Sequence, residues 1–264
     1  MADAGSGKRD PGSPIGDSGS AISDEGFVAV GFVAVSIIVP AHNEEKLLGG
    51  TLRTLAASAT AAGEPYEIIV VNDGSTDRTA AIAREHGARV VVVNVRQIAA
   101  ARNAGARDAR GQLFVFVDAD TLVPAAVLRQ AIGAWREGAV GGGAMAAFDE
   151  GTPRWAVAMI SATCWFMRRV RWAAGCFVFT RRDVFERVRG FDERFYASEE
   201  IHFSRAIKKH GRFVIVNDRV TTSGRKADRF TLAQVAWQIV RLARPGSTKS
   251  RARLEFWYGK QRDQ

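Results

Sequence analysis

The chain has 264 residues, of which 47% are hydrophobic and 25% are charged, and its formal net charge is +9. This length and apolar content are enough for one large α/β domain or two small ones, which excludes a chain without a packed core. Its two cysteines, Cys164 and Cys176, lie in apolar surroundings without metal-ligand spacing. They exclude a disulfide framework and a zinc site, and they favour a reducing, intracellular setting.

Both ends of the chain differ in composition from its middle. Residues 1–25 are rich in Gly, Ser and Asp, and no apolar run follows Lys8 and Arg9. We therefore expect a disordered N-terminal tail and not a signal peptide. We expect residues 226–264 to form a basic C-terminal helix or tail. From Arg225 onward the chain holds ten Lys/Arg against three acids. A segment of this charge can bind phosphates of lipids, nucleic acids or nucleotides, or it can simply be solvated.

Between the two ends, apolar β-branched runs alternate with segments of helical composition. The predicted strands are 33–39, 67–71, 89–93 and 113–117, and the predicted helices are 43–62, 76–86 and 97–109. This alternation predicts a mostly parallel sheet with helices on both faces. The second half is mixed, with a helix near 124–137, strands near 140–148, 176–180 and 213–216, and helices ending near 188 and spanning 199–210.

Polar residues follow three of the first four predicted strands. They are Pro40-Ala-His-Asn-Glu, Asn72-Asp-Gly-Ser-Thr-Asp and Asp118-Ala-Asp. In open α/β sheets ligands bind beyond the carboxyl ends of the strands, so these side chains mark the expected site. Asp118 and Asp120 can share a Mg²⁺ or Mn²⁺ ion that also binds diphosphate oxygens. The alternative is a solvated loop that caps the helix at Pro124.

From Val35 to about Val220 the sequence resembles the family 2 glycosyltransferases of GT-A fold. Five elements occur in the order of that family: Val39-Pro-Ala-His-Asn-Glu, Val71-Asn-Asp-Gly-Ser-Thr-Asp-Arg-Thr, Ala101-Arg-Asn-Ala-Gly, Asp118-Ala-Asp and Ser198-Glu-Glu. The resemblance implies a GT-A domain over 26–225, with a nucleotide-binding half at 26–123 and an acceptor half at 124–225. It also implies inverting, metal-assisted transfer of a single sugar from a UDP- or GDP-type donor.

The resemblance assigns roles in donor binding. Pro40, Asn43 and Glu44 would line the base and ribose, and Asp73 would accept a hydrogen bond from a ring N–H, which uracil and guanine offer. Asp73-Gly-Ser capping the next helix is the alternative. Arg102 and Asn103 would face the diphosphate or sugar, although Arg102 alone could equally be a surface residue. Asp118 would contact the donor as well as the metal.

The reaction needs a carboxylate that takes the proton of the acceptor hydroxyl. Glu200 aligns with the base of the family, which usually has Asp there, so the choice between Glu199 and Glu200 stays open. An acidic first turn that stabilises the helix dipole is a further reading. Where relatives often place a histidine, this chain offers Arg225 and Lys226, which could reach the diphosphate or lie in a solvated loop.

The expected partners are a nucleotide-sugar donor and an acceptor of unknown type, whether glycan, lipid or small molecule. Trp and Phe residues mixed with arginines at 155–172 and 229–258 suit peripheral membrane contact, with core or subunit packing as the alternative. We expect no nucleic-acid partner and a cytoplasmic location that could include the inner membrane face. Homo-oligomerisation is left open. The rival is a non-catalytic nucleotide- or membrane-binding protein on a degenerate GT-A fold.

Overall fold

The computed structural model describes residues 32–224. The predicted segments 1–25 and 226–264 lie outside these residues, and so do Arg225 and Lys226. The strands are β1 Val35–Ala41, β2 Tyr66–Asp73, β3 Arg89–Val93, β4 Leu113–Val117, β5 Thr121–Leu122, β6 Gly141–Phe148, β7 Phe177–Arg181 and β8 Phe213–Thr222. The helices are α1 Leu48–Ala62, α2 Thr79–Glu85, α3 Ile98–Asp108, α4 Ala125–Arg136, α5 Arg154–Val170, α6 Arg182–Arg187 and α7 Glu199–Ile207, which a 3-10 turn extends over Lys208–His210.

All eight strands belong to one sheet, in the order β3-β2-β1-β4-β7-β6-β8-β5. The first four strands of this order are parallel. In the second half β7 is antiparallel to both β4 and β6, β8 is parallel to β6, and β5 is antiparallel to β8. The predicted parallel first half and mixed second half are both confirmed, and the architecture is that of a GT-A fold.

The central strands are buried because helices cover both faces of the sheet. All five residues of β4 are buried, and they alternate between two apolar clusters: Leu113, Val115 and Val117 face one, and Phe114 and Phe116 face the other. Strands enclosed on both sides read as continuous apolar runs, which is why the sequence revealed them. Because β1, β2 and β4 are parallel, their carboxyl ends lie at the same edge of the sheet.

Two helices begin later than predicted, since the residues before them form interlocking loops. Helix α1 begins at Leu48 instead of residue 43, and α2 begins at Thr79 instead of residue 76. Strand β8 is also longer than predicted and runs to Thr222. Residues 213–215 and 219–222 pair with β6, with a register shift between the two parts, and the end of β8 pairs with β5. This pairing extends the strand through a polar, partly exposed stretch.

Helix α3 lies unusually close to β1 and β2 at Gly105. A Cβ atom at Gly105 would be 2.5 Å from Ile38 Cγ2 and 2.7 Å from Val71 Cγ2. Such distances require the neighbouring side chains or the helix to move. The glycine thus sets the depth at which α3 packs, and α3 carries Arg102 and Asn103.

We expect Gly105→Ala to lower the free energy of unfolding by about 1–3 kcal/mol through overpacking. Gly133→Ala, inside α4, is the matched control, because a Cβ there would meet nothing within 4 Å. The control should stabilise the protein by roughly 0.5–1 kcal/mol through helix propensity. Urea denaturation measures both values, and equal effects would contradict the close approach of α3.

Candidate active site

Hydrogen bonds join the loops that follow β1 and β2. The Asn43 backbone N–H donates to Ser75 Oγ at 3.1 Å, and the Thr76 backbone N–H donates to Asn43 Oδ1 at 2.9 Å. The Glu44 N–H donates to Thr79 Oγ1 at 2.8 Å. Asn43 has a φ of 52°, a left-handed conformation that asparagine tolerates better than most residues. These bonds fix Asn43 and Glu44 at the sheet edge.

Pro40 and Asp73 complete the predicted nucleoside side of this edge. Pro40 pairs with Val71 in the register of β1 and β2 and is only partly buried. Asp73, the last residue of β2, is buried, and His42 Nδ1 lies 2.7 Å from its backbone oxygen. The four residues predicted to hold the nucleoside therefore come from two adjacent strand ends.

The Asp73 carboxylate organises the loop that enters α3. Its Oδ1 accepts hydrogen bonds from the backbone N–H groups of Val95 and Arg96 at 2.7 and 2.8 Å, and its Oδ2 accepts one from Gln97 at 3.1 Å. The first N–H of α2 is instead bound by Asp77, two residues before the helix, whose Oδ1 accepts the Thr79 N–H at 2.9 Å. The helix-capping reading of Asp73 is therefore wrong for α2.

Arg102 is the central charged group of the site. Its Nη1 donates to Glu199 Oε1 at 2.8 Å, and its Nη2 donates to Asp118 Oδ1 at 2.9 Å and to the Gly175 carbonyl oxygen at 2.7 Å. The guanidinium also lies over the Phe191 ring, 5.2 Å from its centroid. Only 1% of the side chain is exposed, so the reading of Arg102 as a surface arginine is wrong.

Arg102 stays charged inside the protein because its neighbours are acidic. Burial opposes the charged form, but the carboxylates of Asp118, Glu199 and Glu200 raise the pKa of Arg102 above its ordinary value. The ion pairs connect the end of β4 to the first turn of α7. One side chain thus holds together the predicted metal-binding and base-bearing parts of the chain.

The two glutamates that begin α7 have different environments. Glu199 is buried and paired with Arg102, and burial raises its pKa against the opposing effect of that arginine. Glu200 is half-buried. Its pKa is raised to about 8 by desolvation and by the negative charge of Glu199. Its Cδ lies 3.5 Å from the point that a Cβ on Gly175 would occupy. The lack of a side chain at Gly175 leaves room beside Glu200.

Asp118 and Asp120 lie where β4 gives way to β5. The Asp118 N–H donates to the Cys176 carbonyl oxygen at 3.3 Å, and the Asp118 side chain is 30% exposed. Asp120 Oδ1 accepts a hydrogen bond from Thr222 Oγ1 at 3.4 Å, and its carbonyl oxygen accepts one from the Ser223 N–H at 3.2 Å. The end of β8 therefore runs directly past the acidic pair.

The acidic pair fits a hard divalent cation only in part. Mg²⁺ is commonly held by one or two carboxylates together with substrate phosphates and water, and both aspartates supply oxygen ligands of this kind. Within residues 32–224, no group of three His, Cys, Asp or Glu side chains is arranged to bind a metal. A complete coordination sphere would need donor phosphate oxygens.

Asn103 and Gln97 hold the segment that leads to α7. Asn103 Nδ2 donates to the Phe191 carbonyl oxygen at 2.9 Å, and Asn103 Oδ1 accepts the Phe191 N–H at 2.9 Å. Gln97 Nε2 donates to the carbonyl oxygens of Glu193 and, at 3.2 Å, Phe195. These contacts bind Asn103 to residues 191–195, so α3 positions the approach to the glutamates.

Sequence reasoning missed several residues of the site. The Gly175 carbonyl oxygen accepts a hydrogen bond from Arg102, and the Phe191 ring packs against the Arg102 guanidinium. Thr222 donates a hydrogen bond to Asp120. The small residues Ala173-Ala-Gly before a strand were a usable signal for Gly175. Phe191 and Thr222 offered none, since their roles arise from contacts between distant parts of the chain.

Residues 36–194 match the model of glycosyl transferase family 2, which is more than half of the chain. The chain therefore belongs to glycosyl transferase family 2. This membership confirms the family expected from the five sequence elements.

Known relatives and structures agree with this assignment. The chain is 39% identical over 94 residues to validoxylamine A glucosyltransferase of Streptomyces hygroscopicus subsp. limoneus, covering 33% of this chain and 20% of that protein. It covers 20–35% of the length of the first curated relatives that it matches.

Two solved structures share the fold at low sequence identity. The mannosyltransferase PcManGT of Pyrobaculum calidifontis in complex with GDP-Man and Mn²⁺ has a TM-score of 0.59 at 21% identity, covering 80% of this chain and 61% of that one. S. aureus TarS 1–349 in complex with UDP-GlcNAc has a TM-score of 0.59 at 18% identity, covering 85% and 70%.

We expect Arg102→Met to lower the free energy of unfolding by about 3–5 kcal/mol, because it leaves buried carboxylates without their counter-charge. Arg107→Met is the matched control, since Arg107 is an exposed residue of the same helix. Its effect should stay within about 0.5 kcal/mol. Urea denaturation of both variants measures the difference.

Adding Glu199→Gln to Arg102→Met should recover part of the loss, since it removes one of the unpaired charges. A cost for Arg102→Met no larger than that of Arg107→Met would contradict the buried ion-pair network.

Proposed function

We propose that this chain transfers a single sugar, with inversion, from a UDP- or GDP-type nucleotide sugar to an acceptor hydroxyl. The observation that carries the proposal is the Arg102 bridge, which joins Asp118 to the helix turn that bears Glu200. An inverting transfer is a single displacement, so it requires a leaving diphosphate on one side and one carboxylate base on the other. The bridge joins residues suited to both tasks.

The nucleoside would bind at the ends of β1 and β2, against Pro40, Asn43, Glu44 and Asp73. Asp73 Oδ2 accepts one backbone hydrogen bond and has the capacity to accept another. A ring N–H of uracil or guanine can supply it. The structural neighbours in complex with UDP-GlcNAc and GDP-Man support a donor of this class.

The diphosphate would lie beside Asp118 and Asp120, which would hold Mn²⁺ or Mg²⁺. Such an ion neutralises charge on the departing nucleotide when it is bound. Arg102 donates a hydrogen bond to Asp118 Oδ1 and so fixes one of its oxygens. We assign Arg225 and Lys226 to the diphosphate as well, because Ser223 bonds to Asp120 only two residues before Arg225.

Glu200 would accept the proton of the attacking hydroxyl. Glu199 is already engaged by Arg102 at 2.8 Å, which leaves Glu200 as the carboxylate suited to proton transfer. The raised pKa of Glu200, about 8, makes it a stronger base than an ordinary glutamate. Glu199 then acts as a positioning residue that anchors α7 through Arg102.

We expect Glu200→Gln to lower kcat by about 10²–10⁴-fold, the usual contribution of a general base. Release of nucleoside diphosphate from a panel of UDP- and GDP-sugars with Mn²⁺ and hydroxyl acceptors measures the rate. Nucleotide affinity should not change, and Glu200→Asp should keep part of the activity. Glu186→Gln, on the exposed side of α6, is the control for loss of a carboxylate.

Full activity of the Glu200→Gln variant would remove Glu200 from the mechanism. Binding of nucleotide by the wild-type protein without any turnover would instead favour the non-catalytic reading of the fold.

Removal of either aspartate should separate nucleotide binding from its dependence on metal. We expect Asp118→Asn and Asp120→Asn to weaken binding of UDP or GDP in the presence of Mn²⁺ by more than about tenfold, since charge-assisted contacts contribute about 1.5–3 kcal/mol. Titration calorimetry with Mn²⁺ and with EDTA measures the effect. Equal wild-type affinity under both conditions would contradict metal assistance.

A further inference from the structure

Helix α5 exposes an apolar stripe to solvent. Its inner side packs on the sheet through Ala156, Cys164 and Met167. The outer side carries Ala158, Ala162, Trp165, Phe166 and Arg169, all exposed and spaced as neighbours on one helix face. Trp165 is 71% exposed and Phe166 is 50% exposed. Solvent-facing positions of a helix are normally polar, so this stripe points to a partner.

Helix α5 and the residues directly after it carry only positive charge. Residues 154–175 contain four arginines and no Asp or Glu, although Asp149 and Glu150 are exposed just before the helix. Arg154, Arg169 and Arg171 are exposed on or directly after α5. Arg168 is instead held by the Val216 carbonyl oxygen and by Asn217 Oδ1. Charge complementarity therefore calls for an anionic partner.

The C-terminal segment of the chain is a poor candidate to cover this stripe. Gly224, the last described residue, donates its N–H to Asp149 Oδ1 at 2.8 Å, close to the start of α5. The 40 residues that follow hold ten Lys/Arg and three acids. Like charges repel, so the segment and the α5 stripe suit the same anionic surface better than they suit each other.

We propose that the α5 stripe docks on an anionic phospholipid bilayer. Trp165 and Phe166 would enter the interface, where amphipathic aromatic rings are favoured, and Arg154, Arg169 and Arg171 would meet lipid phosphates. Within residues 32–224 no helix is long and apolar enough to cross a bilayer. The proposed contact is surface binding through the α5 stripe. The proposal does not rest on the transferase activity.

Docking would bring the candidate site close to the bilayer. The segment that follows α5 joins the site directly: the Ala173 N–H donates to Ser204 Oγ of α7, and the Gly175 carbonyl oxygen accepts from Arg102. Only three residues lie between Arg171 and Gly175 along the chain. An acceptor held in the bilayer would then approach α7 from the membrane side.

The test is co-sedimentation of the full chain with vesicles of phosphatidylcholine alone and of phosphatidylcholine with phosphatidylglycerol. We expect binding to the anionic vesicles only. Arg169→Gln with Arg171→Gln should weaken partition by roughly 25-fold, because each basic residue near an anionic surface contributes roughly fivefold. Trp165→Ser with Phe166→Ser should weaken it by more than about tenfold through lost apolar burial.

Matched controls remove similar groups elsewhere on the molecule. Arg84→Gln with Arg107→Gln removes two exposed charges from α2 and α3, and Val92→Ser removes an exposed apolar side chain from β3. Circular dichroism confirms that each variant is folded. Equal effects of controls and α5 variants, equal binding to uncharged vesicles, or self-association without lipid that is lost on Trp165→Ser would each overturn the proposal.

Discussion

The buried guanidinium of Arg102 is the interaction on which the site depends. A charge removed from water must be paired and hydrogen-bonded. Asp118, Glu199 and the Gly175 carbonyl oxygen bind the two terminal nitrogens of the guanidinium, whereas its buried Nε has no hydrogen-bond partner. These partners come from the end of β4, from α7 and from the segment before β7. Because one side chain needs all three, their relative positions are fixed by the cost of leaving the charge unpaired.

The same arrangement gives the site an electrostatic imbalance. Three carboxylates, those of Asp118, Glu199 and Glu200, act on a single guanidinium. Burial, and then the excess negative charge, explain why the pKa of Glu200 is raised to about 8. A cation that binds beside Asp118 would offset this charge. Donor binding and the protonation of Glu200 would then be linked through the electrostatics of the site.

The sequence predicted every described strand except the two-residue β5 and placed the acidic pair after β4, since buried parallel strands are continuous apolar runs with polar residues at their ends. It could not choose between Glu199 and Glu200, because adjacent residues of one helix turn differ only in tertiary contacts. The contact that distinguishes the two glutamates is the ion pair of Glu199 with Arg102, which lies 97 residues away in the sequence. The second half of β8 was missed because Asn217-Asp-Arg is polar and exposed. Its strand geometry comes from the pairing of residues 219–222 with β6 and from the Asn217 N–H, which donates to Gln130 Oε1.

The link between metal-nucleotide binding and Glu200 can be measured as proton release. Calorimetric titration of Mn²⁺ and UDP or GDP at pH 7.5, in buffers of different ionisation enthalpy, gives the number of protons released on binding. Glu200 is mostly protonated at this pH in the free protein, so a pKa lowered by about one unit in the complex should release about half a proton. Glu200→Gln should abolish that release. No release from the wild-type protein, or the same release from the variant, would contradict the coupling of the two sides of the site.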